Sequence, residues 1–308
     1  MDLKGIAINY AKDVLTKKIK GSTHKEIRSR NSKILLYILI GYKDFIWDNF
    51  FARLMKFVPD NIDVCLVSSG KKISTLSQKA EEHNWSYIYS LKNNVSILQN
   101  LVIDSFPKAE YIYKMDEDIL LTENIFESLM ATYEVAEKDN KYHPAFVGPL
   151  INVNGYSYSI ILDSIHKKDA FIDKFGSAKI ESGPDKLIEE DVNTALFMWG
   201  VGGYVPNIDR LNNSFSKKKT HYSICPIRYS IGLILFKRTT WEEMGGFPRR
   251  PGNGMGIDEE KIDSLAIKSA KVAVIDENAV VGHAGFGKQT DEFKKFVISN
   301  PTFLPQVK

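Results

Sequence analysis

The chain has 308 residues, of which 44% are hydrophobic and 26% charged, and it carries a formal net charge of +3. This balance is that of an ordinary globular protein with a sizeable core, in one large domain or two small ones, and the small charge does not suggest nucleic acid as a partner. The cysteines, Cys65 and Cys225, lack metal-ligand spacing, so we expect no disulfide and a reducing compartment.

The N-terminal segment is strongly basic: residues 1–33 carry nine Lys or Arg against three acids. Apolar residues within 4–20 recur near one helical face, which predicts a basic amphipathic helix, and the polar residues up to 32 predict a linker. Such a helix either lies on an anionic membrane surface or packs its apolar face on its own domain. No signal peptide is apparent and the longest apolar run, 34–42, is far too short for a membrane span. We therefore expect a cytoplasmic protein, at most peripheral at the inner face of the membrane.

Strands and helices alternate regularly from residue 33. Apolar runs predict four strands, each buried on both faces, and helical spacing predicts the helices between them. The four runs are 33–41, 62–69, 85–91 and 111–115. Alternation of this kind predicts an α/β fold with a mostly parallel central sheet flanked by helices, in which ligands bind beyond the carboxyl ends of the strands.

The fourth strand runs directly into Asp116-Glu117-Asp118. Because side chains alternate faces along an extended backbone, Asp116 and Asp118 point the same way and Glu117 points away. Two carboxylates at a strand end suit a divalent cation that also holds phosphate oxygens. An isolated pair of this kind more often forms an acidic turn, so the rest of the chain has to decide between the two interpretations.

A helix is predicted near 122–138 and a strand from His143, after which the regular pattern weakens between Asp163 and His221. Irregular segments of this length in a compact domain are usually functional loops or lids. We therefore place acceptor recognition in this part of the chain.

Clear signals return from residue 229: a strand, a short helix ended by glycine, a Gly-rich loop, the acids Asp258-Glu259-Glu260 and a strand that ends at His283. Acids at a helix start suit the helix dipole, so a structural role explains any one of them. The Gly-rich loop, however, would let a carboxylate lie close to a ligand. As a neutral imidazole, His283 could complete a metal site begun by two aspartates.

These motifs, in this order, resemble GT-A-fold glycosyltransferases, particularly the family 2-like group of bacterial enzymes that build surface polysaccharides. The resemblance covers roughly residues 33–287. It is carried by D-x-D at Asp116–Asp118, W-x-x-M-G-G-F at Trp241–Phe247, G-I-D-E at Gly256–Glu259, and V-G-H ending at His283.

The resemblance implies a single catalytic domain over residues 33–292, with a nucleotide-binding half (33–120) and an acceptor half (121–292), followed by a tail (293–308). It also implies a metal-dependent, inverting transfer of a sugar to a glycan or a lipid-linked acceptor in surface polysaccharide synthesis. The donor would be a nucleotide sugar, expected to be UDP-linked. A retaining glycosyltransferase and a non-catalytic carbohydrate-binding relative remain as alternatives.

The resemblance further assigns roles to single residues. Asp116, Asp118 and His283 would hold Mn²⁺ or Mg²⁺ on the donor diphosphate, and one acid of the pair Asp258–Glu259 would be the catalytic base. Spacing to the later motifs favours Glu259 as the match to the family's second acid, with Asp258 and Glu260 left open.

The donor itself is expected at the ends of the first strands and at the Gly-rich loop. Guanidinium groups suit phosphate, so an arginine of that loop is a candidate for the diphosphate. The candidate donor-binding residues are Ile40, Tyr42, Ser68, Asn93 or Asn94, Asp116, and Arg249 or Arg250.

Overall fold

The computed structural model describes residues 3–139, 141–181, 187–218, 220–285 and 287–307. The chain divides into two compact units, each assembled from three separate segments. The first unit comprises Met1–Tyr42, Asp60–Met115 and Phe236–Ser269, and the second comprises Lys43–Pro59, Asp116–Leu235 and Ala270–Lys308.

The helices and strands follow one another along the chain in a largely alternating order. They are α1 (Leu3–Lys20), β1 (Thr23–Glu26), β2 (Ile34–Leu39), α2 (Trp47–Phe57), β3 (Asp63–Ser69), α3 (Ser74–Glu82), β4 (Ser86–Ser90), α4 (Val95–Ser105), β5 (Tyr111–Asp116), β6 (Ile119–Leu120), α5 (Ile125–Lys138), β7 (His143–Ile151), α6 (Ser157–Ser164), α7 (Lys168–Phe175), α8 (Leu187–Glu190), α9 (Val192–Met198), α10 (Ile208–Ser216), β8 (Tyr222–Cys225), β9 (Leu233–Lys237), α11 (Arg238–Glu243), α12 (Ile257–Lys268), β10 (Lys271–His283) and α13 (Thr290–Ser299). Short 3₁₀ turns lie at Asp44–Ile46 and Gly287–Gln289.

The first unit contains a sheet with the strand order β1-β4-β3-β2-β5. Strands β2, β3 and β4 pair in parallel, and α3 and α4 pack on β3 and β4. Their apolar residues are buried on both faces, as continuous apolar runs in a parallel sheet predict. All four strands expected in this part of the chain are present.

Strand β1 lies within the segment that the sequence indicated as a polar linker. It pairs antiparallel with β4, Thr23 opposite Ser90 and Glu26 opposite Tyr87. The sequence THKE carries no apolar alternation because β1 is the edge of the sheet, where polar side chains face water and discourage further pairing. The linker interpretation is therefore wrong for residues 23–26.

The second unit contains the strand order β9-β7-β10-β6, and β8 also pairs with β10. Only the β7–β10 pair among these is parallel; β6 and β8 run antiparallel to β10, and β9 antiparallel to β7. Helix α5 packs on β7 and β10, and α10 packs on β10. The predicted α/β fold, with helices packed on a central sheet, is thus confirmed. The strands of the second unit, however, form a mixed sheet rather than a mostly parallel one.

Several elements in the second unit had no counterpart in the sequence prediction. Helices α7 to α10 occupy the segment from Asp163 to His221 that was expected to be irregular, α6 lies almost entirely before it, and all five helices are short. Helix α13 lies in the predicted tail, where Phe293, Val297 and Leu304 are buried. These helices depend on tertiary packing, because isolated helices of such length are marginal in water.

Helix α1 exposes most of its described side chains. Ile8 and Val14 are each 47% exposed and Tyr10 is 72% exposed, whereas Ile19 is buried. The end of α1 therefore packs on its own unit, where α1 contacts α4, while Ile8, Tyr10 and Val14 remain largely exposed. No helix among the described residues combines the length and the apolar character that crossing a membrane requires.

Candidate functional site

The D-x-D segment and the end of β10 meet in the second unit. Strand β6 pairs antiparallel with β10, which places Leu120 opposite Gly282 and Ile119 opposite His283. The backbone N–H of Ala284 donates to the Asp118 carbonyl at 2.8 Å. This pairing brings His283 Nε2 to 3.2 Å from Asp118 Oδ2, so the structure joins two residues that are far apart in sequence.

The main chain of His283 is held from both sides. Its N–H donates to Asn152 Oδ1 at 2.8 Å, and its carbonyl accepts from Trp199 Nε1 at 3.0 Å. A Cβ on Gly282 would overlap the Trp199 indole, so only glycine fits before His283. The V-G-H sequence thus has a local physical reason: the glycine admits the indole that fixes the histidine backbone.

A third residue of this site, Lys43, was not predicted. Its Nζ donates to Asp118 Oδ2 at 2.5 Å and to the Gly285 carbonyl at 2.9 Å. Only 18% of the Lys43 side chain and 12% of the Asp118 side chain are exposed. The one available signal was a lysine just after the first buried strand, at the edge where ligands bind in parallel sheets.

The Asp118 carboxylate is kept ionised inside the protein. Burial acts to raise its pKa, but the charges and hydrogen bonds of Lys43 and His283 outweigh burial and hold the pKa well below the usual range of an aspartate. Asp118 Oδ1 is buried and has no hydrogen-bond partner among the described residues. A buried anionic oxygen without a partner is a favourable ligand for a cation.

Glu117 has a different environment from Asp118. It is buried and accepts a hydrogen bond from Trp47 Nε1 at 2.7 Å. Asp116 stands at the end of β5, where its backbone N–H donates to the Gly232 carbonyl at 2.8 Å. Glu117 and Asp118 lie in a turn between β5 and β6, so the alternation of faces predicted for an extended backbone does not continue past Asp116.

The expected three-residue metal site is only partly assembled. Within the described ranges, no three side chains of His, Cys, Asp or Glu come together as a set that could hold a metal ion. Asp118 and His283 form a pair, and the third group in contact with this pair is the Lys43 ammonium. Asp116 is therefore not gathered with the other two predicted ligands.

The acidic cluster at the start of α12 lies in the first unit. Asp258 is buried and accepts from Gln99 Nε2 at 2.8 Å. Gln99 Oε1 in turn accepts from Tyr37 OH at 2.8 Å, and neither Gln99 nor Tyr37 is exposed. Glu259 is half-buried and Glu260 is exposed. Asp258 is therefore a buried carboxylate held in a fixed orientation.

The Gly-rich loop before α12 is tied to the start of α4. Asn94 caps α4 by accepting from the Ile97 N–H, and its Nδ2 donates to the carbonyls of Arg250 and Gly252, both at 2.9 Å. A Cβ on Gly254 would come within 2.8 Å of the Ser96 backbone nitrogen, which explains why a glycine is needed at this position. Asn94 therefore has a structural role in shaping this loop.

The W-x-x-M-G-G-F motif is fixed to α4 by a single side chain. Asn100 Oδ1 accepts from Trp241 Nε1 at 2.9 Å and from the Phe247 N–H at 2.8 Å, while its Nδ2 donates to the Phe247 carbonyl at 2.9 Å. The motif thus anchors the chain just before the Gly-rich loop.

The predicted donor-binding residues of the first unit fall into two groups. Ile40 and Ser68 are buried, and Ser68 Oγ accepts from Tyr87 OH, so these side chains belong to the core. Tyr42 is 61% exposed, and Asn93 is exposed as well.

The two exposed candidates are connected through Ser69, at the carboxyl end of β3. Tyr42 OH donates to the Ser69 carbonyl at 2.5 Å, and Ser69 Oγ donates to Asn93 Oδ1 at 2.9 Å. Arg249 forms an exposed ion pair of 3.3 Å with Asp13 of α1.

Comparison with known proteins gives matches only among solved structures. No protein-family model matches the sequence, and no curated protein matches it. A crystal structure of GalNAc-T7 with UDP, GalNAc and Mn²⁺ is 14% identical over 86% of this chain, with a TM-score of 0.45. The mannosyltransferase PcManGT from Pyrobaculum calidifontis, in complex with GDP-Man and Mn²⁺, is 13% identical over 91% of this chain, with a TM-score of 0.46.

This chain spans 47% of the GalNAc-T7 chain and 67% of the mannosyltransferase chain. Both TM-scores lie below 0.5, and neither similarity identifies the activity of this protein.

Proposed function

We propose that the protein is a metal-dependent glycosyltransferase that transfers a sugar from a nucleotide-sugar donor, with a UDP sugar as the expected donor, to a glycan or lipid-linked acceptor. An inverting reaction and a role in bacterial surface polysaccharide synthesis are parts of this proposal. The observation that carries it is the buried, ionised Asp118 carboxylate, which has an unpartnered oxygen and lies beside His283.

The donor set of this site fits a divalent cation. Carboxylate oxygen and imidazole nitrogen both bind Mn²⁺, and Asp118 Oδ1 is available to accept a cation. When bound, such a cation acts as a Lewis acid that neutralises negative charge on the departing nucleoside diphosphate. Asp118 and His283 would hold it, with Asp116 as a further candidate ligand at the end of β5.

We propose Asp258, rather than Glu259, as the base that accepts the proton of the acceptor hydroxyl. Gln99 donates to Asp258 Oδ2, and Tyr37 fixes the orientation of the Gln99 amide. A positioned carboxylate that accepts a proton in the transition state is typically worth about 10²–10⁴-fold in rate. The fixed orientation supports Asp258, because a base acts only when it is aligned with the proton it removes.

For the nucleoside we propose Tyr42 and Asn93, the two candidates that are exposed at the carboxyl ends of the first strands. The Tyr42 ring is held through its hydroxyl and is 61% exposed, with Lys71 Nζ 4.3 Å from the ring centroid. Aromatic faces stack on nucleobases without strong base preference. Arg249 stays a candidate for the diphosphate, because an exposed ion pair such as Arg249–Asp13 holds only weakly.

Helix α1 supports a peripheral contact with an anionic membrane surface. It exposes Ile8, Tyr10 and Val14, and it ends in Lys17, Lys18 and Lys20. Exposed apolar side chains combined with lysines favour binding to anionic lipid headgroups. A lipid-linked acceptor would be reached more easily by an enzyme held at that surface.

The proposal is tested by measuring thermal stabilisation against UDP-, GDP-, CMP- and dTDP-linked sugars, each with and without Mn²⁺. We expect one nucleotide class to stabilise the protein, and only in the presence of the metal. Stabilisation that is independent of metal, or none by any donor, would contradict the proposal. NMR of the transferred sugar then tests inversion, since retention of the anomeric configuration would contradict an inverting reaction.

A further inference from the structure

The acidic site of the second unit already contains a cation that belongs to the chain. The Lys43 ammonium donates to Asp118 Oδ2 and the Gly285 carbonyl, while the other carboxylate oxygen, Asp118 Oδ1, has no hydrogen-bond partner among the described residues. Both acceptors of Lys43 are hard oxygen atoms, which are the ligands that Mg²⁺ and Mn²⁺ take in proteins. The ammonium therefore marks a position that suits a divalent cation.

A lysine and a divalent cation cannot share this position at low cost. Two positive charges a few ångströms apart repel strongly where the protein limits solvent screening, and Lys43 and Asp118 are both mostly buried. A cation that binds only at Asp118 Oδ1 would meet this repulsion, and it would compete with Lys43 for the same carboxylate.

We infer that Lys43 is a resident counter-ion of the metal site, which a divalent cation must displace, and that the Gly285 carbonyl becomes a metal ligand beside Asp118 and His283 when Lys43 leaves. The inference rests on the metal role of Asp118 that is part of the proposed function. It explains why no three acidic or histidine side chains gather among the described residues: the remaining ligand is a main-chain oxygen.

The Lys43 side chain has a route to solvent. Lys43 precedes the 3₁₀ turn Asp44–Ile46, and its side chain still has 18% of its surface exposed to solvent. A lysine side chain is flexible and strongly hydrated, so it can rotate out to water when another cation takes over its acceptors. The carbonyl of Gly285 and the Asp118 carboxylate are then released together.

The test measures Mn²⁺ binding alone, with no donor present, by electron paramagnetic resonance of free Mn²⁺. We expect Lys43→Met to bind Mn²⁺ at least about tenfold more tightly than the wild-type protein, which corresponds to about 1.4 kcal/mol. Lys138→Met is the matched control, because it removes one exposed lysine of the same unit, and its affinity should equal that of the wild type. Asp118→Asn should abolish binding both alone and combined with Lys43→Met.

A folded Lys43→Met protein with unchanged or weaker Mn²⁺ affinity would overturn the inference. So would the absence of Mn²⁺ binding in both the wild type and Lys43→Met. Lys43→Gln serves as a second neutral variant, because its amide can still donate to the Gly285 carbonyl if the Met variant does not fold.

The wild-type protein gives an independent readout that requires no variant. Saturating Mn²⁺ should expose the Lys43 amine and raise its acetylation by a water-soluble reagent several-fold, as measured by mass spectrometry, while Lys138 labelling stays constant. Unchanged Lys43 labelling would overturn the inference. Tight Mn²⁺ binding without any donor turnover would instead contradict the proposed glycosyltransferase activity and leave the Lys43 assignment standing.

Discussion

Asp118 shows at the residue scale what a buried carboxylate requires in order to stay charged. An unpaired carboxylate in such a place would take up a proton, because burial disfavours its charged form. Lys43 and His283 prevent this, and hold its pKa well below that of a free aspartate. A ligand that binds Asp118 therefore meets a full negative charge at neutral pH.

Asp118→Asn tests the proposed metal site directly. The amide keeps the size of the side chain but removes its negative charge, so a divalent cation loses its principal ligand. We expect donor turnover to fall by about 10²-fold or more, as when a group that stabilises developing charge is removed. Circular dichroism should show the fold retained, and a folded variant with wild-type turnover would exclude Asp118 from the site.

Gln99→Met tests the orientation of Asp258. Methionine preserves the volume but removes the N–H that donates to the carboxylate, and hydrogen bonds to charged groups are worth about 1.5–3 kcal/mol. We expect kcat to fall at least about tenfold with KM unchanged, because a positioning residue affects the reacting geometry and not donor binding. Glu259→Gln is the control and should leave kcat within about twofold of wild type. A fall in kcat for Glu259→Gln but not for Gln99→Met would indicate that Glu259, and not Asp258, is the base.

Asp276 gives a prediction on pH dependence that involves no ligand. This residue of β10 is fully buried, and burial raises its pKa although it accepts hydrogen bonds from the Ser128 hydroxyl and the Asn278 N–H. Because the folded pKa lies above the unfolded one, the folded state keeps a proton that the unfolded state has lost. The contribution of the protonated Asp276 carboxyl to the free energy of unfolding is therefore fully present below the unfolded pKa, about pH 4. It is lost as the pH rises through the folded pKa.

Asp276→Asn removes this titration while keeping the side-chain shape. We expect the stability of the variant relative to wild type, measured from urea unfolding at a series of pH values, to increase from about pH 4 towards neutral pH. Ser128→Ala, which leaves the carboxyl in place, should retain the pH dependence. A constant difference between Asp276→Asn and wild type across this series would contradict a raised pKa.

At the scale of single elements, helix α1 is unusual because Ile8, Tyr10 and Val14 are largely exposed to solvent. We expect Lys17→Glu/Lys18→Glu/Lys20→Glu to weaken binding to vesicles that contain phosphatidylserine at least about tenfold, since each basic residue near an anionic surface contributes about 1 kcal/mol. Binding is measured by co-sedimentation at two salt concentrations. In the control variant, three exposed lysines of the first unit outside α1 are replaced with glutamate, namely Lys92, Lys108 and Lys268. Equal loss in both variants, or no binding by wild type, would contradict a membrane role for α1.

Elements also differ in how well the sequence predicts them. Strands β2 to β5 could be predicted because their apolar runs need burial on both faces. Strand β1 could not, because a short polar edge strand has no such pattern. Helices α6 to α10 could not either, since each is too short to show a clear helical period and is stabilised by contacts from distant parts of the chain.

The same limit applies to the site residues. Asp118 and His283 follow strands and form recognisable motifs, whereas Lys43 and Gln99 do not. Gln99 lies in an apolar helix that indicates only a core, and its partner Asp258 is 159 positions away. Residues whose function depends on a long-range hydrogen bond carry no local signal that a sequence pattern could reveal.

At the scale of the whole molecule, each unit is built from three separated segments of the chain. The second unit includes the C-terminal segment, which the sequence indicated as a tail. Phe293 and Leu304 are buried there, and the Pro305 carbonyl accepts hydrogen bonds from Asn49 and Arg53 of α2. This segment is therefore part of the folded unit.

Deletion of residues 290–308 tests that conclusion. Burying each large apolar side chain contributes about 1.5–3 kcal/mol, so losing Phe293 and Leu304 should cost at least about 3 kcal/mol. One kcal/mol lowers Tm by about 2–4 °C in a unit of this size, so we expect calorimetry to show a drop of about 6 °C or more. Truncation after Pro305 should leave Tm nearly unchanged, and an equal Tm for both truncations would contradict a structural role.

The backbone of His283, held by Asn152 on one side and Trp199 on the other, has a consequence for the energetics of metal binding. A ligand that is fixed during folding loses no further conformational freedom when a metal arrives, so binding carries little entropic penalty at that position. Under the proposed metal role, affinity would then be set mainly by the exchange of Lys43 for a divalent cation at Asp118. Such an exchange depends on the concentration of free divalent cation, which makes the occupancy of this site responsive to the ionic composition around the protein.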